Sequence, residues 1–191
     1  MKRALIGFGG HAKEVMAQMG CKLPCFVEDE YCNERLLPIS SFDSTMYEVM
    51  VCFGNPIKRK EIINMLPNNT KFFTWIHPTS IVMDNVEIGE GSFIGAYSIL
   101  TTNIKIGKHA LLNRFCQIGH DCIIGDFFSM MPGSVVSGNV TIEDLVYLGS
   151  NSSVKEKIKI NSNIIIGMGG VVTKKLSENG IYAGVPVKKI K

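Results

Sequence analysis

Apolar positions follow two different rhythms along the chain. Over residues 76–173 the rhythm is six: stepping from Ile76 through Val82, Ile88 and Ile94 to Val172, every position is aliphatic or Met. A period of six fits neither the helical period nor the strict alternation of a half-buried strand. It predicts a short strand plus a corner, repeated, with the aliphatic side chain inward. The slot after the aliphatic is often glycine, as at Gly89, Gly95, Gly107, Gly119, Gly125, Gly149 and Gly167. The slot four after it is often small, as at Ser92, Ser98, Ala110, Cys116, Cys122, Ser134 and Ser152. The spacing predicts that the small residue fills the tight space near the corner and that glycine or Asn takes the unusual backbone angles. Strands of successive coils then pair in parallel, about 4.8 Å apart, each coil covering the next.

The first 75 residues read as alternating strands and helices. Arg3–Ile6 is a short apolar strand, followed by the loop Gly7-Phe8-Gly9-Gly10-His11-Ala12 and a helical stretch to Met19. Leu23–Val27 and Met46–Phe53 read as further strands. Asn55 and Pro56 cap and open a helix running to about Leu66. Lys71–Trp75 reads as the strand that leads into the repeat. This order predicts a small parallel sheet. Gly7-x-Gly9-x-x-Ala12 fits the loose dinucleotide fingerprint, in which glycines let backbone N–H groups approach a phosphate at a helix N-terminus. The region is too short for a complete dinucleotide fold, so it suits one nucleotide or a nucleotide-linked sugar. A tight turn without any ligand is the other reading.

Bulk properties narrow the functional classes. A net charge of +3 gives no field for nucleic-acid binding. No apolar run approaches the roughly 20 residues of a membrane span, and the glycine-broken start does not read as a signal peptide. The six cysteines form no CxxC pair and have no companion histidine spacing, so they read as buried thiols of a cytoplasmic protein, with no metal site.

Four histidines are the candidate bases. His77, before Pro78, reads as structural, and His109 as a solvated corner residue. His11 lies in the glycine loop, where it touches a substrate or caps the helix. His120 lies in Ile118-Gly119-His120-Asp121-Cys122. Thr102 and Gly138 stand eighteen residues before and after it; a coil of three six-residue units would stack them on it and let the bare Gly138 N–H approach a reacting carbonyl. Asp121 reads either as the group that orients the imidazole or as a solvated corner acid. The whole array reads either as an acyl-transfer enzyme or as a repeat scaffold without chemistry.

The glycine loop, Ile76-His77-Pro78, the block from Asn113 through Gly119-His120-Asp121 to Gly125-Asp126-Phe127, Gly138-Asn139-Val140 and the tail Gly184-Val185-Pro186 occur in that order. Together they resemble the hexapeptide-repeat sugar acyltransferases related to sialic acid O-acetyltransferase and the N-acetyltransferase of UDP-4-amino sugars. The resemblance implies an α/β, Rossmann-like N-terminal subdomain (1–75) that binds a nucleotide-sugar, then a left-handed parallel β-helix of about five coils with a C-terminal tail (76–191). It implies a homotrimer, acetyl-CoA as co-substrate and no metal. It makes His120 the base, with Asp121 beside it, and Gly138 the donor to the thioester carbonyl. Gly9, Gly10, His11, Glu28, Asp29, Gly54, Asn55 and Asn113 become substrate contacts. Gly167 and Val172 become neighbours of the CoA adenine. Ser129 stands where relatives often carry a second histidine, so it falls on the CoA side. The implied reaction is N-acetylation of a nucleotide-linked amino sugar. O-acetylation of sialic acid, and a nucleotide-sugar-binding scaffold without activity, are the alternatives.

Overall fold

The computed structural model describes residues 1–191. Its N-terminal part runs β1 (Lys2–Ile6), α1 (Gly10–Met19), β2 (Cys25–Val27), β3 (Leu37–Pro38), β4 (Tyr47–Val51), α2 (Pro56–Met65) and β5 (Lys71–Phe72). The strands form one parallel sheet in the order β3-β2-β1-β4-β5. α2 begins as its sequence dictates: Asn55 Oδ1 accepts from the N–H groups of Ile57 and Lys58 at 2.9 and 3.1 Å. α1 ends on Gly20 at φ 66°, a left-handed cap that costs glycine little.

Two details depart from the sequence reading. β3 and the single turns Asp29–Tyr31 and Ile39–Ser41 occupy a stretch with no apolar run; local bonds such as Ser40 N to Asp29 Oδ1, 3.1 Å, hold it. The strand expected over 71–75 is two strands. Lys71–Phe72 pairs with β4, whereas Trp75–Ile76 already pairs with Phe93–Ile94 of the coils. Thr74 Oγ1, which donates to Gly89 O at 3.0 Å, marks the handover.

From Trp75 the chain winds as a left-handed parallel β-helix of triangular section. Up to Val172 the rungs pair at a spacing of eighteen residues, as Leu112 with Met130, Ile118 with Val136 and Ile106 with Ile124. The first face carries Ile94, Leu112, Met130, Leu148 and Ile166 inward; the second carries Leu100, Ile118, Val136, Val154 and Val172; the third carries Ile106, Ile124, Ile142 and Ile160. These side chains and the small residues fill one continuous core. The strand Gly180–Ala183 extends the first face, and Lys188–Lys189 turns back antiparallel to close that end.

The corners correct the sequence reading of glycine. The left-handed backbone falls three residues after the inward aliphatic, at every sixth residue from Asn85 to Gly169, and the non-glycine residues there have φ between 56° and 61°. Asn, Asp, His, Phe, Tyr, Leu and Lys all occupy it, although it costs a non-glycine residue roughly 1 kcal/mol or more. The glycine directly after the aliphatic has ordinary φ and is required by space. A Cβ at Gly119 would lie 2.7 Å from Gly138 N, and one at Gly149 would lie 2.6 Å from Met168 N. The coils touch backbone to backbone there.

The N-terminal sheet sits on the outer side of the first face. Phe93 and Leu111 point outward from the coil into a core shared with Leu5, Ala12, Val15, Met50 and Phe73. Beside this apolar contact lies Arg59 of α2, almost wholly buried. Its Nε donates to His109 O at 3.0 Å, its Nη1 to Phe53 O, and its Nη2 to Phe127 O at 2.9 Å and Ser129 Oγ at 2.9 Å. No carboxylate takes part; burial lowers its pKa to about 9, which still leaves it charged at neutral pH.

His109 is not solvated as its corner position suggested. It is 5% exposed, stacked on Phe127 at 5.2 Å with the edge of Phe72 at 4.6 Å, and its Nδ1 has no partner. Burial pushes its pKa down to about 4. Nor are all the thiols buried: Cys21 and Cys32 are exposed.

Two predictions follow from the corners and the junction. Gly149→Ala will destabilise the protein by about 1–3 kcal/mol through backbone collision. Gly169→Asn, at φ 66° with nothing within 4 Å of a new Cβ, will be tolerated; denaturant unfolding of both variants compares them. Second, an unfolded histidine titrates near ~6.5, whereas folded His109 titrates at about 4. The unfolded chain thus binds more protons in that window, so this contribution to stability is full above pH ~6.5 and is lost as pH falls toward ~4. Calorimetry at about pH 7.5 and pH 5 will show a smaller acid-induced drop in Tm for His109→Leu than for the unaltered protein.

Candidate active site

His120 lies at the corner between the second and third faces, after Gln117–Ile118 and before Ile123–Ile124. Asp121 takes the left-handed corner conformation, φ 58°. Both side chains project outward, 57% and 47% exposed. Asp121 Oδ2 lies 2.7 Å from His120 Nδ1, and Asn103 Nδ2 donates to Asp121 Oδ1 at 3.1 Å. Chiefly the first of these bonds, then the second, holds the Asp121 carboxyl below the usual carboxylate range. Of the two readings open for Asp121, the geometry is that of the orienter. With Nδ1 engaged as a donor, a neutral imidazole presents Nε2 as its free acceptor.

Gly138 is the neighbour on the next coil. A Cβ there would fall 2.6 Å from His120 Nε2 and 2.7 Å from its Cε1. The glycine is therefore required by the imidazole itself. Gly138 N–H donates to no group in the chain, while its carbonyl accepts from Lys157 N at 3.1 Å. An unspent donor beside a basic nitrogen is the pairing that acyl transfer uses: one group removes a proton, the other holds a developing oxyanion.

The glycine loop builds a separate feature. Gly7, at φ 100°, turns the chain from β1 toward α1 against the Phe53 ring. A cleft of about 280 Å³ opens at the carboxyl ends of β1, β2 and β4, lined by Gly7, Phe8, Gly9, Val27, Glu28, Tyr31, Leu36 and Phe53. This is where parallel sheets bind nucleotides. Gly9 and Gly10 have open space where a Cβ would stand, so the N-terminal N–H groups of α1 are approachable. Glu28 is on the wall and is paired to Lys58 at 2.9 Å.

Other expected contacts sit elsewhere. Asp29 is held by Ser40 and lies outside the cleft lining. Asn55 spends its side-chain oxygen on capping α2. Gly54 turns its carbonyl to Ser129 Oγ, 2.8 Å. His11 neither lines the cleft nor caps the helix. It packs edge-on against Phe93 at 5.3 Å with Nδ1 buried and unpartnered, and burial, then Arg59, brings its pKa to about 4. Asn113 is 6% exposed and donates to Glu14 Oε2 at 3.3 Å, in the contact between α1 and the coils.

The expected CoA contacts also separate. Ser129 is fully buried, bonded to Arg59 and Gly54, so it belongs to the domain junction and has no surface for CoA. Val172 points into the coil core and its carbonyl accepts from Lys155 N at 2.9 Å. Gly167, half-buried, remains open to a ligand beside the exposed Met168. Arg59, Phe8, Tyr31, Leu36 and Asn103 were not among the expected site residues. Of these only Asn103 carries a signal in the sequence, standing eighteen before Asp121.

The N-terminal sheet covers the first face and grips both corners that flank it. α1 reaches Ala96 through Gln18 and Arg114 through Glu14, and α2 reaches His109 and Phe127 through Arg59. His120 stands on the remaining corner, away from the cleft.

A family model for bacterial transferase hexapeptides (six repeats) matches residues 72–102. GDP-perosamine N-acetyltransferase of Escherichia coli O157:H7 is 34% identical over 116 residues, 61% of this chain and 52% of that protein. UDP-3-O-acylglucosamine N-acyltransferase 1 of Sulfurimonas denitrificans is 30% identical over 107 residues, covering 56% of this chain and 33% of that protein. The matched stretch thus spans about half, or less, of these curated relatives. Among solved structures, WeeI from Acinetobacter baumannii AYE superposes over 100% of both chains with TM-score 0.90 and 27% identity. PerB from Caulobacter crescentus, solved with CoA and GDP-perosamine, covers 100% of this chain and 98% of its own with TM-score 0.79 and 23% identity, a likeness of fold. The unbroken six-residue period, the family model at residues 72–102 and the end-to-end superposition on WeeI show a chain that shares the repeat and the fold of hexapeptide transferases and is similar to sugar acyltransferases among them.

Proposed function

We propose that the protein transfers the acetyl group of acetyl-CoA to the amino group of a nucleotide-linked amino sugar. The observation that carries this is the His120–Asp121 pair set against the free N–H of Gly138. His120 Nε2 accepts a proton as the sugar nitrogen forms its bond to the thioester carbonyl carbon. The carbonyl electrons move onto oxygen, where Gly138 N–H meets them. The C–S bond then breaks, and the departing thiolate takes the proton from His120. Asp121 steadies the imidazolium while it lasts.

The cleft at Gly7–Gly9 suits the nucleotide: glycine N–H groups for phosphate, Phe8 and Tyr31 as aromatic surface at the mouth. The GDP-perosamine N-acetyltransferase activity of the Escherichia coli relative, and the two ligands solved with PerB, agree with an amine acceptor on a nucleotide-sugar. A hydroxyl of a nucleotide-linked sugar is able to use the same pair, whereas a free sialic acid gives the nucleotide cleft no purpose. Acetyl-CoA would lie along the coils C-terminal to His120, toward Gly167.

A homotrimer accounts for the separation of the two features. His120 stands on the corner opposite the face that bears the cleft. A sugar held by one protomer's N-terminal domain is thus offered to the His120 of a neighbour, around a threefold axis.

His120→Ala will lower kcat by roughly 10²–10⁴ while leaving Tm and nucleotide-sugar affinity near those of the unaltered protein. Turnover of acetyl-CoA with GDP-, UDP- and dTDP-linked 4-amino sugars measures the first; thermal shift with the same sugars identifies the accepted nucleotide, since a ligand of the native state raises Tm. Sugar binding without acetyl-CoA consumption by any acceptor would instead favour a non-catalytic scaffold.

A further inference from the structure

The corner that carries Asp121 also stacks Asn103 one coil earlier and Asn85 two coils earlier, all three in the left-handed conformation. Their side chains join head to tail. Asn85 Nδ2 donates to Asn103 Oδ1 at 3.2 Å, Asn103 Nδ2 donates to Asp121 Oδ1 at 3.1 Å, and Asp121 Oδ2 meets His120 Nδ1 at 2.7 Å. A carboxamide has one accepting end and one donating end. With its oxygen taken by Asn85, Asn103 turns its NH₂ toward Asp121. The run stops at the imidazole: beyond it, Asn139 gives its backbone N–H to His120 O at 2.8 Å.

Resting on the reading of His120 as the base, we infer that Asn103 is a positioning residue for acetyl transfer, holding the Asp121 carboxylate so that its second oxygen faces His120 Nδ1. Asp121 is about half exposed, and a carboxylate free to rotate offers either oxygen, or neither, to its neighbour. Fixing Oδ1 removes that freedom and keeps Oδ2 on the ring. This retains the proton on Nδ1 and the lone pair on Nε2, the tautomer a base requires. Asn103 also favours the ionised carboxylate while the imidazole is protonated, because its N–H can only donate. The groups facing Asp121 are His120 and Asn103; the other charged residues of the same corner are Asp84, two coils earlier, and Glu156 and Lys157, two coils further on.

Two substitutions separate this role from a structural one. Asn103→Gly keeps the left-handed backbone without strain and removes the amide. Asn103→Asp keeps the shape and sets a second carboxylate against Asp121. Asn163→Gly, at a corner with φ 59°, is the control for backbone effects.

Asn103→Gly is expected to lower kcat roughly tenfold, the loss of one charge-assisted hydrogen bond, with KM for both substrates and Tm unchanged. The acid limb of kcat/KM is expected to move to lower pH in Asn103→Gly, where the imidazolium loses a well-aimed carboxylate, and to higher pH in Asn103→Asp, where a negative charge is added. An unaltered kcat and pH profile in Asn103→Gly, with His120→Ala inactive in the same assay, would overturn the positioning role alone. Equal losses in Asn103→Gly and Asn163→Gly, accompanied by a fall in Tm, would overturn it too. Activity retained in His120→Ala would overturn the parent reading instead.

Discussion

The spacing of eighteen residues between paired rungs is the constraint on which everything else rests. Each strand is only two or three residues long, too short to hold a position on its own. Register is kept by stacking: an aliphatic inward at every sixth residue, a glycine where coil meets coil, a left-handed corner between. A slip of one residue would turn the aliphatics outward and drive side chains into the backbone contacts at Gly119, Gly125 and Gly149. Because the register cannot drift, His120 lies over Gly138 and Asp121 over Asn103 without any contact dedicated to bringing them together. The cost of the non-glycine residues in left-handed corners is met by the aliphatic burial that each added coil supplies.

Arg59 solves a different problem. Joining a parallel sheet to a coil leaves chain ends, corners and turn carbonyls at the seam that regular pairing does not reach, and buried carbonyls need donors. One guanidinium carries several N–H groups in a fixed fork, and this one supplies Phe53, His109 and Phe127 together. The charge is accommodated among carbonyl dipoles instead of against a carboxylate. His11 and His109 are held neutral chiefly by their burial and, to a lesser degree, by that charge. The seam thus resists protonation near neutrality, and the first face stays aligned with the cleft above it.

How much of this could be read from the residues follows from how local each cause is. The coil core was legible because one aliphatic per six residues is a pattern of sequence alone. So were the Asn55 cap and the Gly7 turn, whose chemistry is confined to a few neighbours. The glycine after each aliphatic was seen but misassigned to backbone angle, because the coil it collides with is eighteen residues away. His109 read as solvated because its corner resembles every other; the sheet that covers it comes from another part of the chain. The resemblance puts Ser129 on the CoA side and Asn113 and His11 on the sugar substrate, and all three side chains are occupied by the seam, through Arg59, Glu14 and Phe93. Asn103 needed only the arithmetic of the coil, applied one residue past His120.

The architecture divides holding from reacting. The cleft belongs to a sheet of open, glycine-lined ends, where a phosphate and a base can be met by backbone and aromatic surface. The reacting corner belongs to a stack in which neighbouring backbones leave no room even for a methyl group. His120 and Asp121 are half exposed, as the proposed base and its orienter must be to meet two substrates, yet they stand where coil packs on coil at Gly119 and Gly138. Preorganisation comes from the support beneath a residue, and burial of the residue itself is not required. On this footing the proposed base is an exposed imidazole aimed from below by a carboxylate and two amides and bounded by one bare glycine. With the cleft and the proposed base on opposite sides of the same prism, the proposed transfer requires one prism packed against the next.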